Sequence, residues 1–197
     1  MVNVNKPPIE AGKLDIELAW DILKELGSAE RHFNTLEAEY RKLASIWLLA
    51  GFAGMGFILK ENPAITIPPE VIVFAIGVAT SIGILLLWIV DLLVYHRLLN
   101  ACFEEALRIE KSHLQLPQVR SGMKATQGES KVVTTRLRWF YIALTAAPII
   151  FAAPILVLWC RNEFGVMAAL IAGVASAAYV AIISLTIWLK VSSKETN

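Results

Sequence analysis

The stretch VIVFAIGVATSIGILLLWIV at residues 71–90 determines the fold class of this chain. It contains 20 residues and no Asp, Glu, Lys, Arg or His. A helix needs about 20 apolar residues to cross the hydrocarbon core of a bilayer. Three more stretches are equally free of charge, at residues 43–59, 139–160 and 164–189. The sequence therefore predicts an all-α polytopic membrane protein with four transmembrane helices.

The composition agrees with this class. Hydrophobic residues make up 56% of the 197 residues, and the mean hydropathy is +0.58. The part of the chain outside the four stretches is large enough for one modest layer beside the membrane, but not for a second large domain. The formal net charge of +1 comes from 18 basic and 17 acidic residues, so it says little about partners.

The distribution of the basic residues predicts the orientation of the four spans. Six of the 18 Lys and Arg residues precede residue 43, and eight lie at residues 96–138. The two short connections, at residues 60–70 and 161–163, carry one each. Because cytoplasmic loops of membrane proteins carry an excess of Lys and Arg, we expect both termini in the cytoplasm. The predicted location is the cell inner (plasma) membrane.

These observations divide the chain into five segments. They are the cytoplasmic N-terminal helices (1–42), the first transmembrane hairpin (43–95), a cytoplasmic helix extension with a flexible loop (96–138), the second transmembrane hairpin (139–190) and a cytoplasmic tail (191–197).

Two of the predicted helices continue beyond the membrane. Apolar residues at helical spacing predict one helix over residues 28–59, and Gly27-Ser28 is expected to separate it from a preceding helix. The same spacing predicts a second long helix over residues 70–113. The stretch at residues 116–130 contains Pro and two Gly residues and is predicted to be a flexible loop. The apolar faces of these segments should pack together or against neighbouring subunits.

Small residues recur at every fourth position of the last span. Such residues let helix backbones approach closely in lipid and promote helix association. One interpretation is packing within a four-helix bundle, and the other is an interface between subunits; both can hold on different faces. The residues concerned are Gly165, Ala169, Gly173, Ala177 and Ala181, with the pair Gly77 and Ser81 in the second span.

Asp91 is the one acidic residue in the apolar run at residues 71–95. Carboxylates inside a membrane are often ion or proton sites. Twenty apolar residues precede Asp91, however, so we expect it at the cytoplasmic interface. An interfacial salt bridge is the favoured interpretation, and a gating or relay role is the alternative. The basic residues expected at similar depth are Arg41, Lys42, Arg136 and Arg138.

The sequence contains no recognisable catalytic motif, such as a nucleophile elbow, a phosphate-binding loop or an HExxH helix. Cys102 and Cys160 are predicted on opposite sides of the membrane, and the three His residues lack metal-ligand spacing. The cytoplasmic basic residues are not interleaved with aromatic residues. We therefore expect no enzymatic activity, cofactor, metal or direct nucleic-acid binding, and no small-molecule substrate is evident.

The expected partners are membrane lipids, other copies of the chain and a cytoplasmic protein. Trp20 is the one Trp far from a span end, and Glu104 and Glu105 lie on the predicted outer side of the helix extension. These three residues are candidates for docking a partner. The first functional interpretation is an oligomeric sensor or scaffold that couples the bilayer to this partner. The alternative is a pore-forming or membrane-disrupting effector with ion channel-like behaviour.

The run RHFNTLEAEYRKLASIWLL at residues 31–49 enters the first span from the predicted cytoplasmic side. With its four spans, cytoplasmic termini, helical cytoplasmic layer and length, the chain resembles the small four-span membrane subunits of bacterial antiphage systems, such as the KwaA subunits of Kiwa. This resemblance implies an inner-membrane homo-oligomer in antiviral defence. It also implies a soluble companion, for which a DNA-binding protein is one option. It assigns no functional residues.

Overall fold

The structure is a computed structural model that describes residues 15–61, 66–126 and 131–192, with side chains at 15–61, 66–125 and 137–190. Its regular secondary structure within these ranges is helical throughout, which confirms the all-α class. Four helices are long and apolar enough to cross a membrane, judged by length and composition. They lie within Ile16–Glu61, Pro69–Ser112, Leu137–Phe164 and Val166–Lys190. The prediction of four candidate spans is thereby confirmed.

Six α-helices and one π-helical segment follow each other along the described chain. Their bounds are α1 (Ile16–Glu61), α2 (Pro69–Trp88), the π-helical segment (Ile89–Tyr95), α3 (His96–Ser112), α4 (Val119–Thr126), α5 (Lys131–Phe164) and α6 (Val166–Ser192).

Gly165 alone separates α5 from α6, and its φ angle is +87°. A residue with a side chain is strained in this left-handed region, whereas glycine adopts it readily. The chain can therefore reverse direction within one residue, as the predicted short hairpin requires.

The chain forms two compact units. Among the described residues, unit 1 combines residues 15–35 with residues 96–126, and unit 2 combines residues 36–61 and 66–95 with residues 131–192. One boundary between the units, at residues 95 and 96, is also a boundary between two of the predicted segments. Helix α1 contributes its first part to unit 1 and the remainder to unit 2.

The predicted break at Gly27-Ser28 is wrong, because α1 continues through both residues. A glycine inside a helix costs only about 1 kcal/mol relative to alanine, and tertiary packing can outweigh this. Ala19 and Leu23, on the preceding turns, are buried in the core of unit 1. A Cβ atom at Gly27 would lie 3.3 Å from Nη2 of Arg120, so the glycine leaves room for that guanidinium.

The predicted flexible loop at residues 116–130 is also wrong in part, because α4 occupies residues 119–126. The carboxylate of Glu110 in α3 accepts hydrogen bonds from the backbone N–H groups of Arg120 and Ser121, at 2.9 and 3.1 Å. These N–H groups belong to the first turn of α4, where a helix has no internal acceptors. A distant carboxylate therefore stabilises a helix that local sequence does not indicate.

Unit 2 is held together by close approaches between its helices. The hydroxyl of Ser81 donates to the backbone carbonyl of Thr145 at 2.8 Å. A Cβ atom at Gly77 would lie 3.1 Å from the carbonyl oxygen of Pro148, so α2 and α5 approach closely there. Gly77 and Ser81 thus serve packing within one chain. The core of unit 2 contains Ala44, Ile84, Trp88, Leu92, Tyr141, Ile183 and Ile187.

The apolar residues whose helical spacing predicts α1 do not mark its inner face along the whole helix. Leu43 and Trp47 are two of these residues, but their side chains are 45% and 46% exposed. The residues without charge that α1 buries in unit 2 are instead Ala44, Gly51 and Met55. Lipid is as apolar as a protein core, so hydrophobicity within a span does not distinguish its inner face from its outer face.

Candidate functional site

A buried polar cluster surrounds Asp91, whose side chain is fully buried in unit 2. Its Oδ2 atom accepts a hydrogen bond from the Tyr141 hydroxyl at 2.7 Å and one from Nε of Arg41 at 3.1 Å. Nη2 of Arg41 also donates to Glu37 at 2.7 Å. The cluster therefore connects α1, the π-helical segment and α5 through one guanidinium and two carboxylates.

The π-helical segment positions Asp91 inside this cluster. Its hydrogen bonds run from residue i to i+5, so it accommodates an additional residue, and such segments occur frequently at functional sites. Asp91 and Leu92 are its two buried residues. The additional residue shifts the helical register between α2 and α3 at the position of Asp91.

Among the described residues, the contacts of Asp91 are those of a salt bridge with Arg41 and not those of a proton relay. Within the described part of the chain, Oδ1 of Asp91 is buried and has no hydrogen-bond partner. Apart from Tyr141, which donates to Asp91, the buried hydroxyls of Ser81 and Thr145 donate to backbone carbonyls. A relay needs side chains that pass a proton to one another. These hydroxyls instead stabilise the helix backbone.

The structure pairs Asp91 with Arg41, one of the four basic residues that the sequence analysis considered. The guanidinium of Arg138 lies over the indole ring of Trp188, at 4.3 Å from the ring centroid. The side chain of Arg136 lies outside the described residues. Sequence reasoning missed Glu37 and Tyr141. The spacing of Glu37 and Arg41, four residues apart on a helix, was a usable signal for the first.

The small-residue stripe of α6 turns around the helix. Ala169 is buried inside the chain, Gly173 is half-buried, and Ala177 and Ala181 are exposed. A spacing of four residues exceeds the 3.6 residues of a helical turn, so each step rotates the stripe by about 40°. Its first part packs within the chain, while its last part faces outward. Gly165 precedes the helix and lies in the turn.

The exposed part of the stripe borders an apolar groove between α5 and α6. The groove has a volume of about 490 Å³. Its lining includes Ile150, Pro154 and Val157 from α5 and Gly173, Ala177 and Ala181 from α6.

A second polar cluster lies in unit 1 and is centred on Arg120. Its Nε donates to Glu30 at 2.8 Å, and its Nη1 lies 3.2 Å from an oxygen of Glu110. Glu110 is 1% exposed. The side-chain amide of Gln118 donates to the backbone carbonyl of Glu110 at 2.7 Å. These contacts join α1, α3 and α4.

The two carboxylates stabilise the charge of Arg120 in its buried position. Burial alone would lower the pKa of the guanidinium, but the hydrogen bonds and negative charges of Glu30 and Glu110 outweigh it and raise the pKa. The cluster thus combines one cation with two anions in a largely buried position. Removing one partner of such a buried charge strongly lowers the stability of the fold.

Trp20 borders a cleft in unit 1 with a volume of about 560 Å³. The side chains of Trp20, Val119 and Met123 line it and are 43%, 58% and 44% exposed. The two other docking candidates already have partners: Glu104 pairs with Lys124 at 3.0 Å, and Glu105 with Arg108 at 2.6 Å.

No group of three or more His, Cys, Asp and Glu residues in the described ranges could hold a metal ion. A search of protein-family models, of curated proteins and of solved structures found no match to the chain. The fold defines the class: the chain is an all-α, multi-pass membrane protein with four candidate transmembrane helices.

Proposed function

We propose that this chain is a non-enzymatic, homo-oligomeric sensor or scaffold of the inner membrane. It couples the bilayer to a cytoplasmic protein partner, with both termini in the cytoplasm. The resemblance to small four-span antiphage subunits extends the proposal to antiviral defence.

The uninterrupted course of α1 is the observation that carries this proposal. The helix spans 46 residues, from Ile16 to Glu61. Its first part belongs to unit 1, and its apolar second part belongs to unit 2. A continuous helix transmits a displacement along its axis, whereas a loop would absorb it. A change in the bilayer can therefore alter the surface that unit 1 presents to a partner.

The outward part of the small-residue stripe supports homo-oligomer formation. Ala177 and Ala181 are exposed in the single chain, and they border the groove between α5 and α6. Small residues on a lipid-facing surface allow a second helix to approach its backbone closely.

Replacing Ala177 and Ala181 together with Phe should weaken self-association by at least about tenfold, equivalent to about 1.4 kcal/mol. The two rings would fill the groove and keep a second helix at a distance. Crosslinking in native membranes, followed by native mass spectrometry in detergent, measures the change.

Ala175→Phe is the matched control, because Ala175 is also exposed but lies about 160° around the helix from Ala177. It should leave the oligomer intact. A wild-type chain that is strictly monomeric in native membranes would remove the proposal's main support. If the purified chain alone releases ions from liposomes, the pore-forming alternative is favoured instead.

The cleft beside Trp20 supports a protein partner for unit 1. Trp20, Val119 and Met123 are exposed apolar residues on the unit predicted to face water. Such patches commonly mark interaction sites, and Trp is enriched among residues that dominate binding. This cleft is a stronger candidate than Glu104 and Glu105, whose charges already have partners within the chain.

Trp20→Ala should reduce binding of the cytoplasmic partner by at least about tenfold, because an exposed indole anchor is lost. Co-purification from native membranes and titration with the recovered partner measure this effect. Leu114→Ala is the control, since Leu114 is 79% exposed in the same unit and does not line the cleft. Equal binding by both variants and the wild type would exclude the cleft as the docking surface.

A further inference from the structure

An open cavity of about 430 Å³ lies between α1 and α5 in unit 2. Arg41, Lys42 and Ser45 line it from α1, and Leu137 and Phe140 line it from α5. We call this cavity the α1–α5 groove. Its surface is almost entirely apolar, and the charged residues that border it belong to one of the two helices, α1.

The two cations of the groove have unused hydrogen-bond donors. Arg41 uses Nε for Asp91 and Nη2 for Glu37, and its Nη1 has no partner within the described ranges. The acidic partners are buried behind it, since Asp91 is 0% and Glu37 is 5% exposed. Lys42 is exposed and forms no ion pair with a described residue. Among the described residues, Lys42 thus carries an unmatched positive charge beside the groove, and Arg41 keeps one donor nitrogen without a partner.

The groove lies where the polar and apolar parts of the chain meet. Arg41 and Lys42 immediately precede the charge-free stretch at residues 43–59, and Leu137 and Phe140 flank the start of the stretch at 139–160. In a helix that crosses the bilayer, these positions lie at the level of the lipid headgroups. Basic residues at this level attract anionic lipids.

We propose that the α1–α5 groove binds an anionic phospholipid. Nη1 of Arg41 and Nζ of Lys42 contact its phosphate, and the acyl chains lie on Leu137 and Phe140. The guanidinium of Arg41 offers donors in a planar fork that suits phosphate oxygens. A soluble anion would use the cations but not the apolar side of the groove, which is why we assign the site to a lipid.

Lipid binding at this groove would act directly on the Asp91 cluster. The same guanidinium that contacts the phosphate bridges Glu37 and Asp91, so α1, the π-helical segment and α5 meet at the lipid site. The α1–α5 groove shares no lining residue with the groove between α5 and α6 that is proposed for self-association. Loss of lipid binding and loss of self-association are therefore separate outcomes.

The test compares the wild type with Lys42→Gln and Lys60→Gln. Native mass spectrometry of the delipidated chain in detergent follows titration with phosphatidylglycerol and, separately, with phosphatidylcholine of the same acyl chains. We expect one phosphatidylglycerol per chain to bind about fivefold more tightly to the wild type than to Lys42→Gln. Lys60 is 83% exposed and follows the first charge-free stretch, so Lys60→Gln should bind like the wild type.

Three outcomes would overturn the proposal. The first is equal binding of phosphatidylglycerol and phosphatidylcholine, which indicates unselective annular lipid. The second is an equal loss of binding in Lys42→Gln and Lys60→Gln, which indicates a general charge effect. The third is displacement of phosphatidylglycerol by inorganic phosphate at comparable concentration, which indicates a site for a free anion.

Discussion

Replacing Arg120 with Ala should destabilise unit 1 by about 3–5 kcal/mol, the usual effect of removing one partner of a buried ion pair. Glu110 is 1% exposed, and in the variant it would lose its only charged partner among the described residues. Glu30 would lose its contact at the same time. Two backbone N–H groups of α4 would still bond to Glu110, so the lower end of the range is the better expectation.

Hydrogen exchange is the appropriate measurement, because it reports unit 1 separately from the spans. A loss of about 3 kcal/mol increases the exchange rates of protected amides about 100-fold. The increase in exchange rate should be largest in α4 and at the end of α3. These segments are joined by the hydrogen bonds that Gln118 and the backbone of Arg120 donate to Glu110. The exchange of amides in α5 and α6 should not change.

Arg108→Ala is the matched control for this experiment. Arg108 pairs with Glu105 at 2.6 Å, but its side chain is 77% exposed. Exposed pairs of this kind contribute little to stability, so exchange should remain close to that of the wild type. If Arg120→Ala and Arg108→Ala behave alike, the buried cluster does not hold unit 1 together.

Replacing Arg41 with Met should destabilise unit 2 by about 3–5 kcal/mol, because Asp91 would remain buried without its cation. Asp91 would retain only the Tyr141 hydroxyl as a hydrogen-bond donor among the described residues. Thermal unfolding in detergent, followed by the near-UV signal of the aromatic residues, measures the loss. Lys42→Met is the control, since Lys42 is the exposed neighbour of Arg41.

A double variant separates the buried charge from the loss of packing. Buried ion pairs can often be replaced by apolar residues of similar volume at little cost in stability. Arg41→Met combined with Asp91→Leu should therefore recover much of the stability that Arg41→Met loses. A double variant no more stable than the single one would show that the uncompensated Asp91 is not the source of the effect.

The sequence was informative where a residue's surroundings depend on its neighbours along the chain. The run at residues 71–90 sufficed to identify a span, because the bilayer imposes a length and a polarity on any helix that crosses it. The polarity that the bilayer imposes also made Asp91 unusual, because it is the one acidic residue in the apolar run at residues 71–95. Its partner Arg41 was one of several candidates, since depth in the membrane limits the choice but does not decide it.

The sequence was uninformative where a distant residue decides the local structure. Gly27-Ser28 resembled a helix end, but Arg120 lies against Gly27 and α1 continues. Residues 119–126 resembled a loop, but Glu110 binds the first N–H groups of α4. In both places a tertiary contact contributes more than the intrinsic preference of the local residues.

The sequence by itself determined the helical class and the number of candidate spans, because transfer into a bilayer depends on the polarity of each segment alone. Tertiary structure decided which helix faces meet and which residues form the two buried clusters. Apolar residues surround a span on all sides, so their pattern cannot indicate its inner face. That face is set by small residues, as at Gly51 and Gly77, and by buried charges that must find one another.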